Sequence, residues 1–165
     1  MKKQISTEQT DSNIREVLRL LAETPTRLET LSKGLSDKNL HRPLGEGERS
    51  IVETVAHIIN CEATNAEAIY LALLRNEPLI ADIHPERDLG KLLHVEQLPF
   101  SDLLAYFKTR HAILLRVLES LTEQQWSRCI REEKKARKES VYRQARAQAL
   151  HELEHVSDLE KKLGR

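Results

Sequence analysis

The stretch HELEH, His151 to His155, puts two imidazoles four residues apart. On a helix that spacing places both on one face, one turn from each other, and it suits two ligands of a single metal ion. The same five residues read as H-E-x-x-H and as H-x-x-E-H, both signs of zinc peptidases. A peptidase needs a third ligand downstream. Here VSDLEKKLGR follows, without a histidine, and Asp158 and Glu160 continue the same helix. Peptidases also bind substrate along a sheet edge, and the sequence shows no credible strand. The peptidase reading is therefore set aside. The plain alternative is a charged helix surface carrying two exposed histidines.

His57, in IVETVAHIINCE, offers a third ligand. A lone histidine among apolar neighbours is more often a core or edge residue. Helical bundles, however, build metal sites from side chains on facing helices. His57 with His151 and His155 would supply three imidazole nitrogens and leave positions open for water or substrate. Zinc, nickel and iron(II) all accept such ligands, and the sequence does not choose among them.

Other residues near these positions read more simply. Glu152 and Glu154 flank the histidines but point elsewhere on a helix, as solvated groups or partners of nearby bases. Gln148, one turn before His151, reads equally as packing or as an orienting group. Cys61, four residues after His57, is expected as a structural thiol, with a fourth ligand as the alternative. Glu62 is a candidate to hold a ligand imidazole. His41, His84 and His94 fall in linkers, His111 at a helix edge. Trp126 is expected to cap the core.

The elements that must position these groups are helices. Ile14, Val17, Leu18, Leu21, Leu28, Leu31 and Leu35 form one apolar stripe, so a first helix is expected from Ser6 or Thr7 to about Lys33. Pro25 should kink or break it near Thr24, and Gly34 should stop it. Ser36 to Leu40 reads as one short turn. Ser50 and Glu53 form a capping box opening a second helix, Ile51 to about Arg75. A long connection, Asn76 to Pro99, must then link distant elements or cover a site. A third helix, with Ser101 as N-cap, runs to about Ser120. Thr122 and Gln125 suggest another capping box, and a fourth helix spans Glu139 to Leu163. The run Arg131 to Lys138 reads as a solvated loop or helix start. The fold class expected is all-α, a four-helix bundle in one domain over residues 1–165, with helices ~30 Å long.

Composition narrows the partners. Lys+Arg and Asp+Glu both total 26, against the basic excess of a nucleic-acid binder. No apolar run reaches the roughly 18 residues of a membrane span. The start, MKKQISTEQTDSN, has no apolar segment behind its lysines, unlike a signal peptide. Cys61 and Cys129 make no disulfide framework, so a cytoplasmic setting is the expectation.

The order and spacing of "ERSIVETVAHIINCE", "NEPLI", "LLAYFKTRHAILLRVLESLTEQQWSR" and "ALHELEHVSDLE" resemble the DinB/YfiT-like superfamily over Ile14 to Leu163. That resemblance implies a metal triad of His57, His151 and His155 in a four-helix bundle, often a homodimer. It implies a divalent transition metal and a small-molecule substrate. The reaction would be hydrolysis or transfer of a low-molecular-weight thiol cosubstrate to a small electrophile. The alternative is a metal-binding or sensing bundle without turnover. One departure stands out: the family commonly has a Trp-Ser pair before the second helix, and here those positions read Arg49-Ser50.

Overall fold

The computed structural model describes residues 5–164, so the start Met1–Gln4 and Arg165 lie outside the description. Four long helices dominate: α1 (Asp11–Ser32), α3 (Ile51–Leu74), α5 (Phe100–Glu119) and α7 (Val141–Leu163), with short α2 (Asp37–His41), α4 (Lys91–Leu93) and α6 (Glu123–Trp126) between them. None of the described helices is long and apolar enough to cross a membrane.

The helix boundaries follow local chemistry. Thr10, not Ser6 or Thr7, caps α1 by accepting from the Asn13 N–H. The Ser50 hydroxyl accepts from the Glu53 N–H at 3.1 Å, and the Glu53 carboxylate accepts from the Ser50 N–H at 2.7 Å. Thr122 and Gln125 close a second capping box on α6. Helix α5 begins directly after Pro99, as expected, but Pro99 takes the cap position and Ser101 lies inside the helix rather than capping it. Gly164, at φ 64, ends α7 in the left-handed conformation that glycine adopts without steric cost.

The core lies in two clusters, and their membership fixes the topology. One joins the N-terminal half of α1 (Val17, Leu21) to the C-terminal halves of α3 (Ala66, Ile69) and α5 (Leu114, Leu118) and the start of α7 (Tyr142, Ala145). The other joins the end of α1 (Leu28, Leu31) to the first halves of α3 (Val55, Ile58) and α5 (Leu103, Phe107) and the end of α7 (Val156, Leu159). Hence α1 and α7 run one way, and α3 and α5 run the other. Two consecutive parallel helices need a connection that returns along the bundle, which explains the long segment between α3 and α5. Trp126 is buried as expected, edge-on to Tyr142 with ring centroids 6.5 Å apart.

Two expectations are corrected. Pro25 does not break α1, which runs unbroken from Asp11 to Ser32. Proline removes the N–H that would bond the carbonyl four residues earlier, here that of Leu21, and that carbonyl accepts from His111 Nε2 at 2.7 Å instead. Secondly, short strands exist. β1 (Leu79–Ile80) pairs in parallel with β2 (Cys129–Glu132), which pairs antiparallel with β3 (Glu139–Ser140). The charged run from Arg131 therefore forms strand and turn rather than loop or helix start. Strands of two to four residues are too short for alternation to reveal.

Ser50 is buried and holds the start of the helix that carries His57. Ser50→Ala is expected to cost about 1 kcal/mol of stability, read as a lower urea midpoint with an unchanged slope.

Candidate metal centre

His57 lies two turns into α3, and His151 and His155 lie one turn apart on α7. The packing of α3 on α7 brings the three rings together. His57 Nε2 and His151 Nε2 are 3.1 Å apart, and His155 Nε2 and His151 Nε2 are also 3.1 Å apart. Ring centroids are separated by 5.0, 4.7 and 4.5 Å for the three pairs.

Hydrogen bonds alone do not satisfy this arrangement. A ring nitrogen carries either one N–H or one lone pair, so His151 Nε2 can make one well-aligned hydrogen bond and not one to each of its two neighbours. A cation shared by the nitrogens removes the conflict. With metal–nitrogen bonds of about 2.0–2.1 Å, ligand nitrogens sit roughly 2.9 Å apart at right angles and about 3.4 Å apart at tetrahedral angles. The two separations of 3.1 Å, from His151 to His57 and to His155, fall between.

Protonation agrees. Burial is the first cause that lowers all three histidines below the ordinary imidazole range. The Arg49 charge adds to it at each, and His151 is brought down to about 4. Neutral imidazoles are the form that binds a metal. His57 Nδ1 lies 2.8 Å from Glu86 Oε1. A carboxylate there accepts the Nδ1 proton and leaves the Nε2 lone pair facing the other histidines.

Cys61 Sγ lies 3.8 Å from His57 Nε2, and ligand atoms of His57, Cys61 and His151 all fall within 4.8 Å of one another. The sulfur is almost equally far from His57 Nδ1, at 3.9 Å, so it stands beside the ring rather than ahead of the Nε2 lone pair. Burial pushes its thiol up to about 11. Beside His57 opens a cavity of about 280 Å³ lined by Arg49, Glu53, Asn60, Glu86 and Lys91 among others. Asn60 Oδ1 is buried there without a hydrogen-bond partner.

A second polar cluster lies deeper, and it corrects several expectations. His111 is not at an edge; it is buried, donating to Leu21 O from Nε2 and 2.8 Å from Glu62 Oε2 at Nδ1. Glu62 therefore holds His111, not a ligand imidazole. Glu152 is fully buried rather than solvated, 3.6 Å from His111 Nδ1. Gln148 donates to Glu152 at 2.7 Å and accepts from Asn65 at 2.6 Å, so it serves this cluster and not the triad. Ligand atoms of Glu62, His111 and Glu152 also lie within 4.8 Å of one another. Here a proton accounts for the geometry, because both ring nitrogens of His111 face acceptors. Burial opposes that charge, but Glu152, Glu62 and the Leu21 carbonyl outweigh it and raise His111 to about 9. Burial likewise pushes Glu152 up. His41, His84 and His94 are exposed, as expected.

Comparisons with known proteins agree with this architecture. The DinB superfamily model matches residues 20–159. The chain belongs to the DinB superfamily. A solved structure described as "YfiT from Bacillus subtilis is a probable metal-dependent hydrolase with an unusual four-helix bundle topology" superposes with a TM-score of 0.83 at 17% identity, covering 99% of this chain and 94% of that one. At that identity the likeness establishes the four-helix-bundle fold. A search of curated proteins gives no sequence match.

Sequence reasoning missed Glu86 and the buried role of His111. Neither has a local signal: Glu86 sits in a charged turn, PERDLG, and the Leu21 carbonyl that fixes His111 is a backbone group.

His111 gives a pH prediction. Its folded-state pKa is raised, so its contribution to stability is complete below the unfolded value near 6.5 and is lost as pH rises through about 9. Urea unfolding of metal-free protein between pH 6 and pH 9.5 is expected to show a decline of up to about 3 kcal/mol. In His111→Gln that alkaline decline should disappear.

Proposed function

We propose that this chain is a metal-dependent enzyme acting on a small electrophilic substrate, with His57, His151 and His155 holding one divalent transition metal. The observation that carries the reading is the convergence of neutral Nε2 atoms at 3.1 Å on His151, which hydrogen bonding leaves unsatisfied. Three protein ligands leave room for a further ligand, the pattern of a catalytic site. Imidazole ligands suit zinc, nickel or iron.

A bound ion of this kind supplies Lewis acidity and lowers the pKa of a water ligand towards about 7. The chain's own groups do the rest. His57, His151 and His155 stay uncharged by burial and so keep their lone pairs available. Arg49 and Lys91 line the cavity beside His57 and can seat an anionic part of the substrate, while the unpartnered Asn60 Oδ1 can accept an N–H from it. Hydrolysis is the first reading, supported by the structural likeness to a protein described as a probable metal-dependent hydrolase. Transfer of a thiol cosubstrate is the second, supported by the same open ligand set, which would also hold a thiolate.

Metal analysis of tag-free protein after loading with zinc or nickel is expected to give about one ion per chain, lost in His57→Ala. A panel of activated esters, amides and epoxides, assayed with and without a low-molecular-weight thiol, then separates hydrolysis from thiol transfer. Stoichiometric metal with no turnover in either arm would favour a sensing bundle. No metal uptake by the wild type would sink the proposal.

A further inference from the structure

The segment between α3 and α5 does more than return along the bundle. At Pro85–Gly90 it forms a single π-helical turn held by its own side chains. His84 Nδ1 accepts from the Glu86 and Arg87 N–H groups at 3.2 and 3.1 Å, and Asp88 accepts from the His84 N–H at 2.7 Å. The turn sits down on α3 at Gly90, where a Cβ would already meet Asn60 Nδ2 at 3.4 Å. This seating aims Glu86 at the triad. Its Oε1 lies 2.8 Å from His57 Nδ1 and accepts from the Arg49 guanidinium at 2.5 Å. His151 Nδ1, by contrast, is buried with no hydrogen-bond partner.

We propose that Glu86 is a positioning residue for the metal ligand His57, and that the Pro85–Gly90 turn is a strap whose closure is coupled to metal occupancy. This rests on the reading of His57 as a ligand. A metal on Nε2 requires the proton on Nδ1, and Glu86 is the acceptor placed to hold it there. Metal binding polarises the imidazole and makes Nδ1–H a stronger donor, so an occupied site grips Glu86 more tightly. By linkage, the factor by which strap closure strengthens metal binding equals the factor by which metal favours strap closure. Arg49, just before the α3 cap Ser50, donates to the same carboxylate oxygen and so helps to hold it in place. If Glu86 and Arg49 were only an exposed ion pair, their contact would matter little to anything else.

The test uses the full chain as wild type, Glu86→Gln and Glu86→Ala. Zinc affinity is measured by competition with a chromophoric chelator. Amide exchange over residues 79–93 is followed with and without zinc, and metal-free melting is recorded as a check on folding. The expected result is a loss of affinity of about 10-fold or more in Glu86→Gln and up to about 100-fold in Glu86→Ala, with metal-free melting nearly unchanged. Zinc should slow exchange over residues 85–90 in the wild type and do so less in both variants. Wild-type affinity within about twofold in both variants, with the same zinc-dependent exchange, would overturn the strap while leaving the triad intact. Absence of zinc binding in the wild type itself would overturn both.

Discussion

A single buried charge cluster ties the four long helices together at mid-height. Helix α1 gives the Leu21 carbonyl, α3 gives Glu62, α5 gives His111 and α7 gives Glu152. Arg110 Nε approaches Glu62 Oε1 at 3.4 Å from the half-exposed edge of α5. The apolar core is divided by this layer into its two clusters. Apolar contacts tolerate sliding of one helix past another; a desolvated imidazolium with fixed acceptors does not, since each lost partner leaves a buried charge uncompensated. The layer therefore sets the register of the bundle, and register decides whether His57 meets His151.

Pro25 has a part in this. In most helix interiors proline is a defect, because one carbonyl is left without its donor. In α1 the orphaned carbonyl belongs to Leu21, and His111 supplies the missing N–H across the bundle. A local cost is thereby turned into a tertiary link. The triad sits beside this layer: Glu152 follows His151 directly, and its carboxylate points into the core while the imidazole points towards α3. One turn of α7 thus presents a buried carboxyl group inward and neutral imidazoles towards His57 on α3.

Much of the fold was legible in the sequence. The capping boxes at Ser50 and Thr122, the apolar periodicity of the four helices and the stop at Gly164 act over a few residues, so local pattern reports them. His151 and His155 were legible as a pair because a helix fixes their relation. The strands around Leu79, Cys129 and Glu139 were not, because they are held by pairing with distant segments rather than by their own pattern. His111 was misplaced for a similar reason: its neighbours in TRHAILL say nothing of a carbonyl ninety residues away.

What the sequence determined by itself was the set of helices, the neutral overall charge and the stock of imidazoles. These follow from short-range hydrogen bonding, from the period of 3.6 residues and from counting. What the tertiary structure decided was which polar groups meet. The same residue types yield a half-buried, neutral group of three histidines in one place and a buried imidazolium beside glutamates in another. The difference lies in solvent exclusion and in the partners on neighbouring helices, and neither exists until the helices have packed.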